Sequence, residues 1–195
     1  MGYRQHHCSA IGFPDFDTWK DGTLSNTEVL LLHGSPGSGK TTLAAAVAEQ
    51  LRQADQAHAV IDLDQLSLIY PYQDRPFSHR NLKVIWPNYT AVPDLKVIIP
   101  TVIADAADYQ SLIDAIPAAK VMICELTAPE SILKDRVTAR EPNAYWQERL
   151  RKWVDVYHQR DESQTFGDFQ VTTHDKSIDE TAKEIIKKAN WHNKG

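Results

Sequence analysis

At 195 residues the chain is long enough for one substantial core and too short for two ordinary domains with linkers. A net charge of -5 argues against a broad nucleic-acid footprint, which shows as a basic face and a high pI, and favours a small-molecule partner. Cys8 and Cys124 are the only cysteines, which argues against a disulfide framework or a zinc site and points to a reducing compartment; no apolar run approaches the roughly 20 residues of a membrane span, and no secretory leader is recognisable, so the cytoplasm is the expected location.

Residues 1–27, with Gly2, Gly12, Pro14 and Gly22, read as an irregular lead-in whose Tyr3, Phe13, Phe16 and Trp19 are available to pack on a sheet edge, ahead of one domain over 28–195. Val29 to His33 (VLLLH) is a buried strand that runs into Gly34 to Thr41 (GSPGSGKT), and Leu43, Val47 and Leu51 then recur at helical spacing. His58 to Leu63 (HAVIDL) is a second short strand. The polar and aromatic stretch Tyr70 to Asn81 leads to a helix through Leu82, Val84, Ile85 and Trp86, with Pro87 and Pro93 marking its end. Leu95 to Ile99 predicts the third strand, Asp105 to Ile116 a helix, and Lys120 to Leu126 (KVMICEL) the fourth strand. Pro129 opens a helix through Ile132, Leu133 and Val137, and a second helix carries Trp146, Leu150, Trp153 and Tyr157 on one face. Phe169 to Thr173 is the last strand. Ser177, followed three residues later by Glu180, caps a final helix that turns Ala182, Ile185, Ile186 and Ala189 inward. This alternation predicts an α/β, three-layer fold with a parallel sheet of about five strands, helices on both faces and ligands at the carboxyl ends of the strands.

GSPGSGKT is a complete Gly-x-x-x-x-Gly-Lys-Thr phosphate-binding loop in its required setting between a strand and a helix. Gly34, Gly37 and Gly39 let the backbone curl so that successive N–H groups face a polyphosphate, and Ser35, Pro36 and Ser38 fill the loop between them. Lys40 supplies a mobile cation for the β- and γ-phosphates. Thr41 is placed to ligate Mg²⁺, with Thr42 as a weaker second choice. A P-loop NTPase binding a nucleoside triphosphate with Mg²⁺ is therefore expected.

The type of P-loop protein follows from what accompanies the loop. Neither an Asn-Lys-x-Asp guanine motif nor an Asp-x-x-Gly switch stands where a GTPase would need it, and Val121 to Glu125 only loosely matches the acid-ended strand of transporter ATPases and helicases. The chain instead resembles the small P-loop kinases of the nucleoside monophosphate kinase superfamily, which includes adenylate, shikimate, gluconate and adenylylsulfate kinases. The resemblance spans residues 28–190 in element order and is sharpest at GSPGSGKT, at Asp62-Leu63-Asp64 and from Pro129 through Arg140. It implies that Asp62 or Asp64 meets Mg²⁺ or the acceptor hydroxyl, and that Arg136 and Arg140 belong to a short helical lid around residues 136–150 and touch the transferring phosphate. Gln65-Leu66-Ser67 stands where adenylylsulfate and gluconate kinases usually show an acceptor-binding Arg.

The residue types suit phosphoryl transfer, which needs positioning and cations more than covalent chemistry. Between Lys134 and Arg160 seven Lys or Arg stand against four Asp or Glu, a basic exception in an acidic chain. Arg136 and Arg140 share a helix face at i and i+4; solvated pairing with Asp135 and Glu141 is the plain alternative. Asp62 and Asp64, at alternate positions of the second strand, would point to the same side, Asp62 toward Mg²⁺ and Asp64 as the base, with a helix N-cap or a strand-end acid as the other reading. Arg75, His79, Arg80 and Lys83, beside Tyr70, Tyr72 and Phe77, are the candidate acceptor contacts, although such aromatics also serve to cover a sheet. Thr101 and Asp105 border the same cleft or cap a helix. His33 reads as a packing residue. The expected activity is transfer of the ATP γ-phosphate to a hydroxyl or phosphate of a small molecule; a slow ATP-hydrolysing regulatory protein and a polynucleotide end kinase are the alternatives.

Overall fold

The computed structural model describes residues 26–160 and 166–191; the expectations for the N-terminal lead-in and for Cys8 fall outside the described residues. β1 (Glu28–Gly34), β2 (His58–Val60), β3 (Lys96–Pro100), β4 (Lys120–Thr127) and β5 (Phe169–Thr172) form one sheet in the order β2-β3-β1-β4-β5. Every pairing is parallel, with Leu30 opposite Ile98 on one side and Met122 on the other. β1 is central because its apolar run can be buried on both faces.

Strand alternation sorts that run into two cores. Leu30 and Leu32 join Leu43, Val47 and Leu51 of α1 (Lys40–Gln53) and Ala182 and Ile185 of α7 (Ile178–Lys188). Val29 and Leu31 face the other way, against Leu82 and Trp86 of α3 (Pro76–Thr90) and Leu112 of α4 (Ala106–Ile113). Trp86 is buried and its indole N–H donates to Pro117 O at 3.1 Å, so its apolar area is buried without stranding a donor. A third, smaller cluster joins Leu133 and Val137 of α5 (Glu130–Arg140) to Val154 of α6 (Ala144–His158). The expected α/β three-layer architecture with five parallel strands is what the described residues form.

Several local expectations are corrected. The second strand ends at Val60, and Leu63–Leu66 form a one-turn helix, α2, capped by Asp62, whose Oδ1 accepts from Asp64 N at 2.9 Å. Asp62 and Asp64 therefore do not leave a strand side by side. Helix α3 starts at Pro76, six residues before Leu82, and runs through Pro87 to Thr90. The carbonyl that Pro87 leaves without an N–H partner belongs to exposed Lys83, where water can satisfy it. Val84 is 78% exposed and does not face the sheet. On α6, Leu150 and Val154 form the inward row while Trp146 and Trp153 stay nearly half exposed, Trp146 under the guanidinium of Arg149. At α7 the expected capping box is present in full, with Glu180 N donating to Ser177 Oγ and Ser177 N to Glu180 Oε2.

Candidate active site

The loop between β1 and α1 closes on itself through Ser38 N donating to Ser35 O at 3.1 Å. Gly34 and Gly37 have φ of 151° and 81°, and a Cβ would come within 2.6 Å of Leu126 O at the first and 2.7 Å of Leu133 O at the second. Glycine is thus required both for the loop's turn and for the close approach of β4 and α5. The first intrahelical bond of α1 runs from Leu43 N to Gly39 O at 2.8 Å, so the amides ahead of it form an open helix N-terminus. Among the described residues, the Ser35 and Ser38 hydroxyls are buried with no hydrogen-bond partner. Orphaned donors around a glycine-lined turn suit a polyphosphate.

Lys40 folds back over this loop, its Nζ donating to Gly34 O at 2.8 Å and Ser35 O at 3.0 Å. Burial lowers its pKa to about 8; Asp64 and Asp62 oppose that shift and Arg140 adds to it. The ammonium is therefore poorly hydrated and held by two carbonyls where an anion would compete strongly for it.

Successive loop residues line two cavities. Gly37, Ser38, Gly39 and Thr42 bound one of about 320 Å³, closed by Arg136, Arg140 and Thr173. Arg136 is tied down there: it donates to Thr173 Oγ1 at 2.9 Å, to Thr173 O at 2.7 Å and, at 3.4 Å, to Gly37 O. Arg140, one turn on, is exposed and makes none of these bonds, so the two arginines share a cavity with different freedom. The helical hairpin that carries them turns at 141–143, where Asn143 caps α6 and Gln147 and Arg151 reach back to Thr138.

Lys40 and Thr41 line the second cavity, of about 360 Å³, together with Asp62, Asp64, Arg75, His79 and Thr101. Asp62, Asp64 and Thr41 are thereby brought to the phosphate side of the loop although no strand carries the acids. Arg75 binds Asp108 with two nitrogens, at 2.7 and 2.9 Å, and also donates to Val102 O. Burial alone would raise the Asp108 pKa, but the Arg75 hydrogen bonds hold it below the usual carboxylate range. His79 is buried, its Nδ1 3.0 Å from Ser111 Oγ, and burial lowers its pKa, so the ring is neutral near pH 7. Arg80 and Lys83 line an adjoining cavity with Gln110 and Asp114 that shares His79 with the second, and Arg80 pairs with Asp74 at 2.8 Å. Asp105 caps α4 through Asp108 N and does not line the second cavity.

A buried network behind the loop could not be anticipated from spacing. His33 Nδ1 accepts from Ile103 N at 2.9 Å, so its ring proton sits on Nε2 and is donated to the Tyr157 hydroxyl oxygen at 3.1 Å; Tyr157 in turn donates to Glu125 Oε1 at 2.7 Å. Burial, reinforced by Arg160, Lys40 and Arg75, pushes the His33 pKa down to about 3. Tyr157 lies on α6 and His33 one residue before the loop, so the network ties the helical hairpin to the base of the loop. Among the described residues no cluster of three or more His, Cys, Asp or Glu could hold a metal ion alone, and no helix is long and apolar enough to cross a membrane. Burial raises the Cys124 thiol pKa to about 12, which leaves it inert.

The family profile described as Nephrocystin 3, N-terminal, matches residues 10–80, a span that contains the loop. No curated protein sequence matches the chain. Among solved structures, the APS kinase CysC of Mycobacterium tuberculosis in complex with AMPPNP and APS is 22% identical with a TM-score of 0.60, covering 84% of this chain and 97% of that one. A gluconokinase from Sinorhizobium meliloti 1021 is 16% identical with a TM-score of 0.58, covering 86% and 94%. The shikimate kinase of Acinetobacter baumannii in complex with shikimate is 15% identical with a TM-score of 0.54, covering 88% and 98%. These likenesses show the fold: the chain has the P-loop kinase fold shared by these three small-molecule kinases.

Proposed function

We propose that the protein is an ATP-dependent phosphotransferase that moves the γ-phosphate to a small-molecule acceptor. The observation that carries this reading is the division of one loop between two cavities: Gly37 to Gly39 and Thr42 bound one, Lys40 and Thr41 the other. A γ-phosphate held at that boundary would face an acceptor across Lys40. A hydrolytic switch needs no second cavity of this size.

In this reading the loop from Gly34 to Thr42 holds the polyphosphate through its amides and the Ser35 and Ser38 hydroxyls. Lys40 leaves its two carbonyls to follow the γ-phosphoryl as charge shifts toward the leaving oxygen. Arg140 closes on the nucleotide, while Arg136, fixed to Thr173, positions the loop. Bound Mg²⁺ would neutralise the phosphate oxygens; Thr41 and Asp62 are the residues that would hold it, a small ligand set of the kind Mg²⁺ takes when phosphates and water complete its shell. Asp64, an exposed carboxylate at the mouth of the second cavity, accepts the acceptor's proton. Arg75 and His79 border the acceptor, and the 136–150 hairpin serves as the lid.

The full chain with Mg·ATP and a panel of nucleosides, nucleotides and sugars tests this. ADP formation that depends on one acceptor and yields its phosphorylated product is expected. Slow ADP formation unaffected by the whole panel would favour a regulatory ATPase instead.

A further inference from the structure

The charge state of the acceptor cavity can be read from its ion pairs. Among the described residues, Arg75 and Lys40 are the only Lys or Arg side chains lining it, against Asp62 and Asp64, while the charge of Asp74 is matched by Arg80. The charge of Arg75 is matched by Asp108, whose two oxygens accept from its Nε and Nη2 while Nη2 also donates to Val102 O, and Lys40 belongs to the phosphate loop. Arg80, the nearest further cation in sequence, is drawn off by Asp74 and lines the neighbouring cavity. His79 adds no charge at neutral pH.

What the cavity offers is neutral hydrogen-bonding capacity. His79 is 4% exposed and lines the cavity; its Nδ1 is used by Ser111, but its Nε2 makes no hydrogen bond among the described residues, lying 4.0 Å from Asp108. Thr101, 9% exposed, has only a long 3.4 Å contact from Oγ1 to Val102 O among the described residues. A ring nitrogen with no hydrogen bond among the described residues and a weakly bonded hydroxyl on one cavity wall suit ligand groups that both donate and accept. Carboxylates accept from hydroxyls and ammonium groups and repel a second carboxylate or a phosphate.

We propose that the acceptor is an uncharged or amine-bearing polyhydroxyl compound, and that its phosphorylated, sulfated and carboxylated counterparts are rejected. This rests on the phosphotransferase reading and sharpens it. In the transfer, a hydroxyl oxygen of the polyol bonds to the γ-phosphorus, the bond from that phosphorus to the β,γ-bridging oxygen breaks to release ADP, and the hydroxyl proton passes to the Asp64 carboxylate.

Matched pairs presented to the full chain with saturating Mg·ATP test the assignment: glucose or glucosamine against gluconate and glucose 6-phosphate, ribose against ribose 5-phosphate, adenosine against AMP. In any series that is turned over, the neutral or amine-bearing member should exceed its anionic partner at least about tenfold in kcat/KM, the scale of making or losing one charge-assisted hydrogen bond. Equal rates, or preference for the anionic member, overturn the proposal. Asp108→Asn, which releases Arg75, should move the ratio toward the anionic member by at least about threefold; an unmoved ratio in a variant of wild-type melting temperature overturns the role given to Arg75. The same pairs titrated calorimetrically into protein loaded with a non-hydrolysable ATP analogue separate the two readings. Heat from neutral members without phosphate transfer keeps the acceptor class and removes the kinase reading, transfer to an anionic member does the reverse, and no heat from any neutral member overturns the acceptor class.

Discussion

The two cavities lined by successive residues of the loop are built by different means. The nucleotide side is made of main chain: a glycine-lined turn, an open helix N-terminus and two orphaned serine hydroxyls, with Arg140 held by none of the carbonyl and threonine contacts that fix Arg136. The acceptor side is made of side chains that have largely spent their charge on each other, Arg75 on Asp108 and Arg80 on Asp74. In the proposed function, polyphosphate recognition would be generic and preformed, whereas acceptor recognition would depend on which pairs form. The contrast teaches that a basic residue in the acceptor segment is no guide to the charge of the acceptor until its partner is known.

Removing function from each side separately should sharpen the contrast. Asp64→Asn should lower turnover by about 10² to 10⁴ while ATP affinity stays within about threefold, because only the acceptor side loses its base; equal turnover in a steady-state assay would take Asp64 out of the mechanism. Lys40→Ala should cost about 10² to 10³ in kcat, the effect of deleting one transition-state cation, and it should weaken Mg·ATP binding as well, which Asp64→Asn does not. A mutant that changed only acceptor KM would break the division.

His33 tests the link between the hairpin and the loop. Its folded pKa, about 3, lies below the ordinary 6.5 because the ring is buried. Between those values the unfolded chain binds a proton that the folded chain refuses, so stability is full above pH 6.5 and falls as pH drops toward 3. The loss from this one group is on the order of 5 kcal/mol. Denaturant titrations of His33→Asn across that window should show a flatter pH dependence than wild type. An identical slope would mean that other groups govern acid unfolding.

How much of this was legible in the sequence follows the same division. The loop could be read because glycine, lysine and threonine at fixed spacing dictate backbone shape locally, and α7 because Ser177 and Glu180 satisfy each other within one turn. Helix α2 could not, since a single turn has no periodicity and its cap, Asp62, also fits a strand end. Trp146 and Trp153 carry the spacing of a buried face, yet α6 meets α5 through the smaller Leu150 and Val154, which allow closer packing with Val137. Pro87 marks a boundary only where its unpaired carbonyl would be buried. The His33, Tyr157 and Glu125 chain joins residues up to 124 positions apart, beyond any local signal.

In the proposed function the turn from Gly34 to Thr41 grips a polyphosphate. Isothermal titration of the full chain with Mg·ATP measures it most directly. The expected result is saturable one-to-one binding that is lost in Gly37→Val, where the added side chain meets Leu133 O; absence of binding heat across a range of temperatures, or wild-type affinity in Gly37→Val, would contradict it.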